Sequence, residues 1–357
     1  MSSQIVHVER ERERERERDG GRPIPAGREP WIDVARGIAI LLVVLGHSIG
    51  VLEDPLNRFI LSFHMPLFFF ISGLTAKSQG REYFKTFYNK ARGILIPQVT
   101  LAMIWIIFGV LIEGKALSTK YIIGNLFSWF LVVLFYTSTI FLVLQQAGIV
   151  DGKSQKRRLI NLGTLIILVA MTQLCKLHTF AHIETIPAAL FFYLSGYYIR
   201  PKLDKARYQI SEVNKAIISW YDAWVFAVPV VVICSYWNSP IKMYANEYGN
   251  LPFFFATAIG GIWTIVRIAQ CLSDNKGLAW FGKNSVIIYI FHPVMLKALH
   301  GIGKLLIPKL VGKNYEYPAH WHYFMIVIVL LIPVVYICNR WLWFLFGKRK
   351  PILKTIF

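Results

Sequence analysis

The sequence predicts an all-α integral membrane protein with about ten transmembrane helices and both termini in the cytoplasm. Three observations support this prediction. The 357 residues are 55% hydrophobic and only 17% charged, the mean hydropathy is +0.47, and apolar segments recur along the chain. Soluble globular domains contain about 25% charged residues, so this composition favours lipid as the surrounding solvent.

Apolar segments long enough to be helices crossing a bilayer divide the chain. Such a helix needs about twenty apolar residues, with some tolerance for tilt. The segments that fit are residues 37–52, 59–76, 94–112, 124–146, 159–175, 185–199, 223–237, 251–271, 280–299 and 323–346. The gaps leave no room for a soluble domain. We therefore expect one membrane-embedded domain over 31–346, a polar tail at 1–30 and a basic tail at 347–357.

The basic residues predict the orientation of these spans, because cytoplasmic loops carry an excess of Lys and Arg. Segments 77–92, 151–158 and 200–215 are rich in Lys and Arg, as is the C-terminal tail, whereas the alternate loops are poorer. An even number of spans with cytoplasmic termini satisfies this pattern. We therefore expect a multi-pass protein of the cell membrane.

Several function classes are disfavoured by composition. The net charge of +19 comes from loops and the C-terminal tail, and no basic stripe is interleaved with aromatic residues, so we expect no nucleic-acid partner. The segment Glu9–Arg18 alternates Glu and Arg and has no apolar face, which predicts a solvated tail, with a docking role as the alternative. Neither a disulfide framework nor a zinc site is predicted, because no CxxC or Cys/His ligand spacing joins the four cysteines.

Ionisable residues inside membrane helices are costly and are therefore functional candidates. In the first span, Asp33 and Arg36 precede His47, which follows Arg36 after ten intervening residues. Eleven residues at 100° each place Arg36 and His47 on one helical face, about 16 Å apart along the axis. We expect Arg36 at the cytoplasmic surface and His47 near the middle of the membrane. A neutral histidine suits general-base activation of a hydroxyl, although His47 could instead form a structural hydrogen bond.

Two further histidines, His64 in the second span and His292 in the ninth, reach comparable depth. We expect the three imidazoles to converge in one cavity in the middle or outer half of the bilayer. No carboxylate or thiolate stands at a ligand spacing, so no metal site is predicted. Ser72 and Gly73 end an aromatic run, where small residues alternatively serve close helix packing.

Five motifs then follow in a fixed order from the first to the ninth span. They are Asp33–Arg36 with His47, Phe63–Gly73, Lys90–Arg92 before Pro97, Ser128–Leu131, and Phe281–Ser285 with Tyr289–His292. With these motifs the chain resembles acyltransferase family 3 of integral membrane proteins, and within it the fucose 4-O-acetylase-like branch. The resemblance covers about residues 30–345. One departure is Asn89, which stands where the family has the first of two arginines.

The resemblance implies transfer of an acyl group, most often acetyl, to a carbohydrate hydroxyl. The implied donor is acyl-CoA, chiefly acetyl-CoA from the cytoplasm, used as a substrate and not as a tightly bound cofactor. The implied acceptor is an exopolysaccharide, an O-antigen or another glycan at the membrane. Lipid surrounds the protein, and no other partner is implied.

Site residues carry over by position from the same resemblance. His47 corresponds to the catalytic histidine and Arg36 to its motif partner, while Arg92 binds the anionic CoA donor, with Lys90 substituting for the missing arginine. The candidates for contact with the acceptor or with the developing oxyanion are Asp33, His64, Ser72 and His292. The sequence does not rank these candidates.

A transporter or flippase for a glycan or lipid-linked glycan is the alternative class. It would share the ten helices and the buried polar groups, but acidic residues deep in several spans, or broken helices at matched positions in two halves, are then expected. After Asp33 no acidic residue falls clearly in the middle of a predicted span, and no internal repeat is evident. The sequence therefore favours the acyltransferase.

Overall fold

The computed structural model describes residues 29–76, 82–150, 154–209, 227–311 and 321–348, and it describes side chains for all of them except 201–209, 303–311 and 321. Within these ranges the chain forms α-helices and short 3₁₀ helices, with no β-strand. The predicted all-α fold is confirmed. The polar tail predicted over 1–30, with its Glu-Arg repeat, lies outside the described residues apart from its last two positions.

The α-helices are α1 (Pro30–Ile49), α2 (Pro55–Leu61), α3 (His64–Leu74), α4 (Tyr83–Leu111), α5 (Thr119–Leu126), α6 (Trp129–Gln146), α7 (Gln155–Leu174), α8 (Ile186–Gln209), α9 (Val228–Trp237), α10 (Leu251–Cys271), α11 (Lys276–Lys283), α12 (Ser285–Val311) and α13 (Trp321–Arg340). Short 3₁₀ helices cover Ile183–Thr185, Met243–Ala245 and Trp343–Phe346.

Each predicted span overlaps one of the helices α1, α3, α4, α6, α7, α8, α9, α10, α12 and α13. Among the described residues, 7 helices are long and apolar enough to cross a membrane, and they include α1, α4 and α12. Helices α3 and α9 are shorter, with 11 and 10 residues. A multi-pass helical membrane protein is therefore confirmed, while the count of ten spans stays a prediction.

The second predicted span, 59–76, is interrupted in the structure. Asp54 caps α2, because its Oδ1 accepts hydrogen bonds from the backbone N–H groups of Leu56 (2.9 Å) and Asn57 (3.0 Å). The helix then ends at Leu61, and α3 begins at His64. This break places His64 at the first position of a new helix.

Cationic side chains gather at one end of the bundle. Arg36 Nη2 donates to Thr75 Oγ1 (3.2 Å), Arg200 Nη1 donates to Leu74 O (2.7 Å), and Arg92 Nη2 donates to Lys348 O (3.1 Å). These contacts bring together the beginning of α1, the end of α3 and the C-terminal segment. We call this the basic end, consisting of Arg36, Lys90, Arg92, Arg200 and Lys348; it is the end that the sequence predicts to face the cytoplasm.

Glycines permit two close helix contacts that position the site. A Cβ on Gly73 would collide with the backbone carbonyl of Tyr193, and one on Gly196 would collide with that of Phe70, so α3 and α8 approach backbone to backbone. The packing interpretation of Gly73 is thereby confirmed. Gly282 lies in the same way against the backbone of Asp33, which joins α11 to α1.

Helix α1 is the most enclosed of the long apolar helices. In its apolar window 67% of residues are buried, against 11% for α7 and 44% for α6. One face packs in the core around α3 and α8 through Val34 and Ala39, and the other packs against α12 and α13 through Ile40 and Val44. Side chains on α1 therefore face protein and internal space more than lipid.

Candidate active site

A cavity of about 490 Å³ lies at the end of the bundle opposite the basic end. His47 from α1, His64 from α3 and His292 from α12 all line it. The predicted convergence of three imidazoles from separate helices is confirmed. Other polar or aromatic residues in the lining are Asn57, Trp105, Ser128, Trp129, Lys242, Tyr244 and Tyr289.

His47 lies in the last turn of α1, not near its middle. The depth of His47 in the membrane stays a prediction. The helix begins at Pro30, seven residues before the predicted start of the span, and it ends at Ile49 before Gly50, which has a φ of +69°. A positive φ after the last helical residue is a usual helix terminator, and glycine adopts it without strain.

The His47 side chain is exposed to the cavity. It forms no hydrogen bond with the part of the chain that the structure describes. The alternative interpretation, a structural hydrogen bond to a neighbouring helix, therefore finds no partner there. An accessible imidazole that is not hydrogen-bonded has both ring nitrogens available for a ligand.

His64 and His292 are instead buried and fixed by their own helices. His64 Nδ1 lies 2.9 Å from Ile60 O, and His292 Nδ1 lies 2.9 Å from Ile288 O. A carbonyl oxygen only accepts hydrogen bonds, so Nδ1 of each neutral ring carries the proton and Nε2 keeps its lone pair. His292 Nε2 is buried and has no hydrogen-bond partner within the described residues.

Ring contacts connect His47 of α1 with His292 and Tyr289 of α12. The rings of His47 and His292 meet edge to face, with centroids 5.0 Å apart and an interplanar angle of 66°. The Tyr289 ring lies 6.1 Å from that of His292 and 5.2 Å from that of Phe130. His47, His292 and Tyr289 are therefore a continuous row of rings along the cavity.

Arg36, Asp33 and Ser72 lie apart from this cavity. Arg36 Nη1 is 3.9 Å from Asp33 Oδ1, in addition to its contact with Thr75. The Ser72 hydroxyl donates to Phe68 O (2.8 Å) within α3, one turn before Thr75. None of the three lines the cavity. The structure therefore assigns them to the basic end and does not bring Ser72 to the histidines.

Lys90 and Arg92 are at the basic end but on different faces of α4, because two residues rotate a helix by about 200°. Lys90 Nζ donates to Tyr193 OH (2.9 Å), whereas Arg92 contacts the backbone of Lys348. The two cationic side chains therefore do not form one adjacent pair. Lys77 and Arg81, from the same basic segment, lie outside the described residues.

The family model described as an acyltransferase domain, that of acyltransferase family 3, matches residues 29–345, which is most of the chain. The chain belongs to acyltransferase family 3. Comparisons with curated proteins and with solved structures returned no match. The protein is thus a membrane acyltransferase, as the sequence predicts. Its place in the fucose 4-O-acetylase-like branch stays a prediction.

In this acyltransferase the sequence interpretation missed the role of the C-terminal segment. Lys348 Nζ donates to Asn339 Oδ1 (2.7 Å) and to Asn284 Oδ1 (3.4 Å), and Asn339 Nδ2 donates to Asn284 Oδ1 (2.8 Å). Burial lowers the pKa of Lys348 to about 8. The available signal was the pair of amides, Asn284 and Asn339, which stand in otherwise apolar surroundings. The remainder of the tail, 349–357, lies outside the described residues.

The sequence interpretation also missed a loop that contributes to the cavity. The loop between α9 and α10 supplies Lys242 and Tyr244, and the Tyr244 ring lies 6.4 Å from that of Trp129. Lys242 Nζ pairs with Glu247 Oε2 at 2.8 Å, and this hydrogen bond raises the pKa of Lys242. Trp129, from the motif Ser128–Leu131, also lies in the cavity lining. Within the described residues, no cluster of His, Cys, Asp or Glu could hold a metal ion.

Proposed function

We propose that this acyltransferase transfers an acyl group, most readily acetyl, from acyl-CoA to a hydroxyl of a cell-surface or exported carbohydrate. The observation that carries the proposal is His47, an accessible imidazole in a cavity that two further histidines line. A general base has to reach the hydroxyl that it deprotonates, and a neutral imidazole serves this purpose near pH 7.

The donor is expected to bind at the basic end. CoA carries several phosphate charges, and Arg and Lys side chains are the usual groups that recognise them. Arg36, Lys90, Arg92 and Lys348 lie at this end, each half-buried and in contact with protein oxygen atoms. A partly buried site strengthens the attraction between these cations and phosphate, because the local dielectric constant is lower than in water.

The acceptor is expected to enter from the cavity mouth. Trp105, Trp129 and Tyr244 present aromatic surface in the cavity lining, and Lys242 adds a polar group. The apolar face of a sugar ring packs well on aromatic side chains, while its hydroxyls need a small number of hydrogen-bonding groups. A cavity of about 490 Å³ is within the ordinary range for small-ligand sites.

The reaction follows from these two positions. His47 takes the proton from the acceptor hydroxyl as its oxygen attacks the thioester carbon. The tetrahedral intermediate then collapses, the C–S bond breaks, and the proton passes from His47 to the departing CoA sulfur. Arg36 and His47 are about 16 Å apart along α1. The flexible arm of CoA therefore has to run along α1 to carry the acyl group from the basic end to the cavity.

Transport of a glycan is the competing function. The cavity lining includes no Asp or Glu among the described residues, so a proton-coupled carrier would lack a carboxylate relay there. Mass analysis of surface glycans from cells with the gene intact, deleted and restored separates the two functions. The acyltransferase predicts loss of the acyl groups with the glycan amount unchanged. A fall in exported glycan with its acylation unchanged would instead support transport.

Donor binding has its own test. Arg92→Glu reverses a charge at the basic end, and Lys120→Glu makes the same reversal in α5 at the opposite end. In membrane vesicles from the producing cells, the apparent KM for acetyl-CoA should rise about tenfold for Arg92→Glu, equivalent to about 1.4 kcal/mol. It should be unchanged for Lys120→Glu. Equal KM values for the two variants, at equal protein level, would contradict a donor site at the basic end.

A further inference from the structure

Acyl transfer creates a negative charge on the carbonyl oxygen of the acyl group, and the three cavity histidines have no N–H group available to stabilise it. When the acceptor oxygen attacks the thioester, the carbonyl oxygen becomes an oxyanion, and a prearranged hydrogen-bond donor has to be aimed at it. His64 and His292 keep their Nδ1 protons on backbone carbonyls, so each is left with an acceptor nitrogen. His47 has to accept a proton in the same step. The donor is therefore another group.

Among the donors in the cavity lining, Asn57 Nδ2 already donates to Val51 O and Lys242 Nζ to Glu247 Oε2. The indole N–H groups of Trp105 and Trp129 and three hydroxyl groups remain as candidates. Ser128 lies at the start of α6, where its Oγ accepts a hydrogen bond from Gln98 Nε2 (2.8 Å). Tyr244 lies in the loop at the mouth, beside Trp129. Tyr289 lies on the same face of α12 as His292, three residues before it, and next to the ring that contacts His47. Among these candidates in the described chain, Tyr289 is the residue whose ring contacts the histidine pair.

The Tyr289 ring is held while its hydroxyl stays available. Phe130 packs edge to face against the ring with centroids 5.2 Å apart, and both main hydrophobic cores of the described chain contact it. Its hydroxyl forms no hydrogen bond with the described residues. A phenol is a neutral donor at physiological pH, because its ordinary pKa is about 10. A fixed ring with an uncommitted O–H is therefore a preorganised donor.

We propose that the Tyr289 hydroxyl donates a hydrogen bond to the oxyanion of the tetrahedral intermediate, next to the proton-accepting imidazole of His47. This inference rests on the proposed acyl transfer and adds a catalytic residue to it. As the acceptor oxygen bonds to the acyl carbon, His47 takes the hydroxyl proton, and Tyr289 keeps its own proton while donating to the carbonyl oxygen. The hydrogen bond lengthens when the carbonyl re-forms and CoA leaves as the thiol with the proton from His47.

The test is Tyr289→Phe, which removes one oxygen and retains the ring contacts with Phe130 and His292. The matched control is Tyr248→Phe, because the Tyr248 hydroxyl also has no hydrogen-bond partner in the described chain, but Tyr248 does not line the cavity. Transfer of radiolabelled acetyl from acetyl-CoA to glycan is measured in membrane vesicles that contain the native acceptor. Removing one oxyanion donor lowers kcat by about 100-fold to 1,000-fold in other acyl-transfer enzymes.

We expect Tyr289→Phe to lower the maximal rate by about 100-fold while the apparent KM for acetyl-CoA changes by less than about twofold. Tyr248→Phe should retain the wild-type rate. A normal maximal rate for Tyr289→Phe at equal protein level would overturn the proposal, and so would a loss confined to KM. If wild-type vesicles transfer no acetyl group to glycan, the proposed function fails, and that outcome is distinct from a failure of Tyr289 alone.

Discussion

The imidazole rings of His47 and His292 meet edge to face, with their centroids 5.0 Å apart. His47 is exposed to the cavity, whereas His292 is 0% exposed and its Nε2 has no partner within the described residues. Because His292 Nδ1 donates to Ile288 O, its Nε2 can only accept. An acceptor nitrogen beside His47 would favour one orientation and one tautomer of the His47 ring. A hydrogen-bonding partner orients the catalytic histidine of a Ser-His-Asp triad in the same way.

The first prediction concerns His292→Phe, which retains a ring at this position and removes both nitrogens. Without the acceptor nitrogen, His47 loses its orienting neighbour, and we expect acetyl transfer to fall by about tenfold, or about 1.4 kcal/mol. His300→Phe is the control, since His300 Nδ1 makes the same intrahelical bond to Leu296 O (2.8 Å) but lies outside the cavity lining. Equal activities of the two variants in membrane vesicles would contradict an orienting role for His292.

The second prediction concerns the contact between α3 and α8. Gly73→Ala would place a methyl group in the backbone carbonyl of Tyr193, so the two helices have to separate. Gly163→Ala adds the same methyl group in α7 where nothing lies within 4 Å, and helix propensity favours it by about 0.5–1 kcal/mol. In detergent, thermal unfolding should therefore start at lower temperature for Gly73→Ala and no lower than wild type for Gly163→Ala. Similar unfolding temperatures for both would contradict this packing.

The third prediction concerns the charge of Lys348. Burial disfavours the ammonium form, so the pKa of Lys348 is lowered from 10.5 to about 8. Lys115 is the comparison, because its hydrogen bond to Glu113 raises its pKa. After reductive ¹³C-methylation of the protein in detergent, the NMR signal that Lys348→Arg removes should titrate near pH 8, well below the Lys115 signal. Titration of Lys348 at or above the Lys115 value would show that the C-terminal segment does not bury this amine.

The positions of the long helices along the chain could be predicted from the sequence, because a helix that crosses lipid needs a long apolar segment. The convergence of His47, His64 and His292 was predictable for a related reason. An imidazole inside an apolar span is costly, so separate histidines at similar depth favour a shared polar cavity. The start of the first helix was missed by the predicted span, because α1 begins at Pro30, in sequence that is only partly apolar.

The remaining features depend on tertiary contacts that a linear pattern does not encode. Ser72 follows the aromatic motif but faces the basic end, since helix rotation is set by the glycine contact with α8. Lys348 returns to Asn284 across 64 residues, and the loop containing Tyr244 folds over a cavity formed by other helices. Tyr289 was part of a recognised motif, yet a tyrosine in an apolar helix gives no sign of an available hydroxyl until its neighbours are known.

The fourth prediction tests the central role of His47. His47→Gln keeps a polar side chain of similar reach but removes the basic nitrogen, and it should not disturb folding because the side chain faces the cavity. The measurement is the transfer of radiolabelled acetyl from acetyl-CoA to glycan in membrane vesicles, with protein levels matched. We expect a fall of about 100-fold to 10,000-fold, the usual contribution of a general base. Transfer by His47→Gln at the wild-type rate would contradict His47 as the proton acceptor.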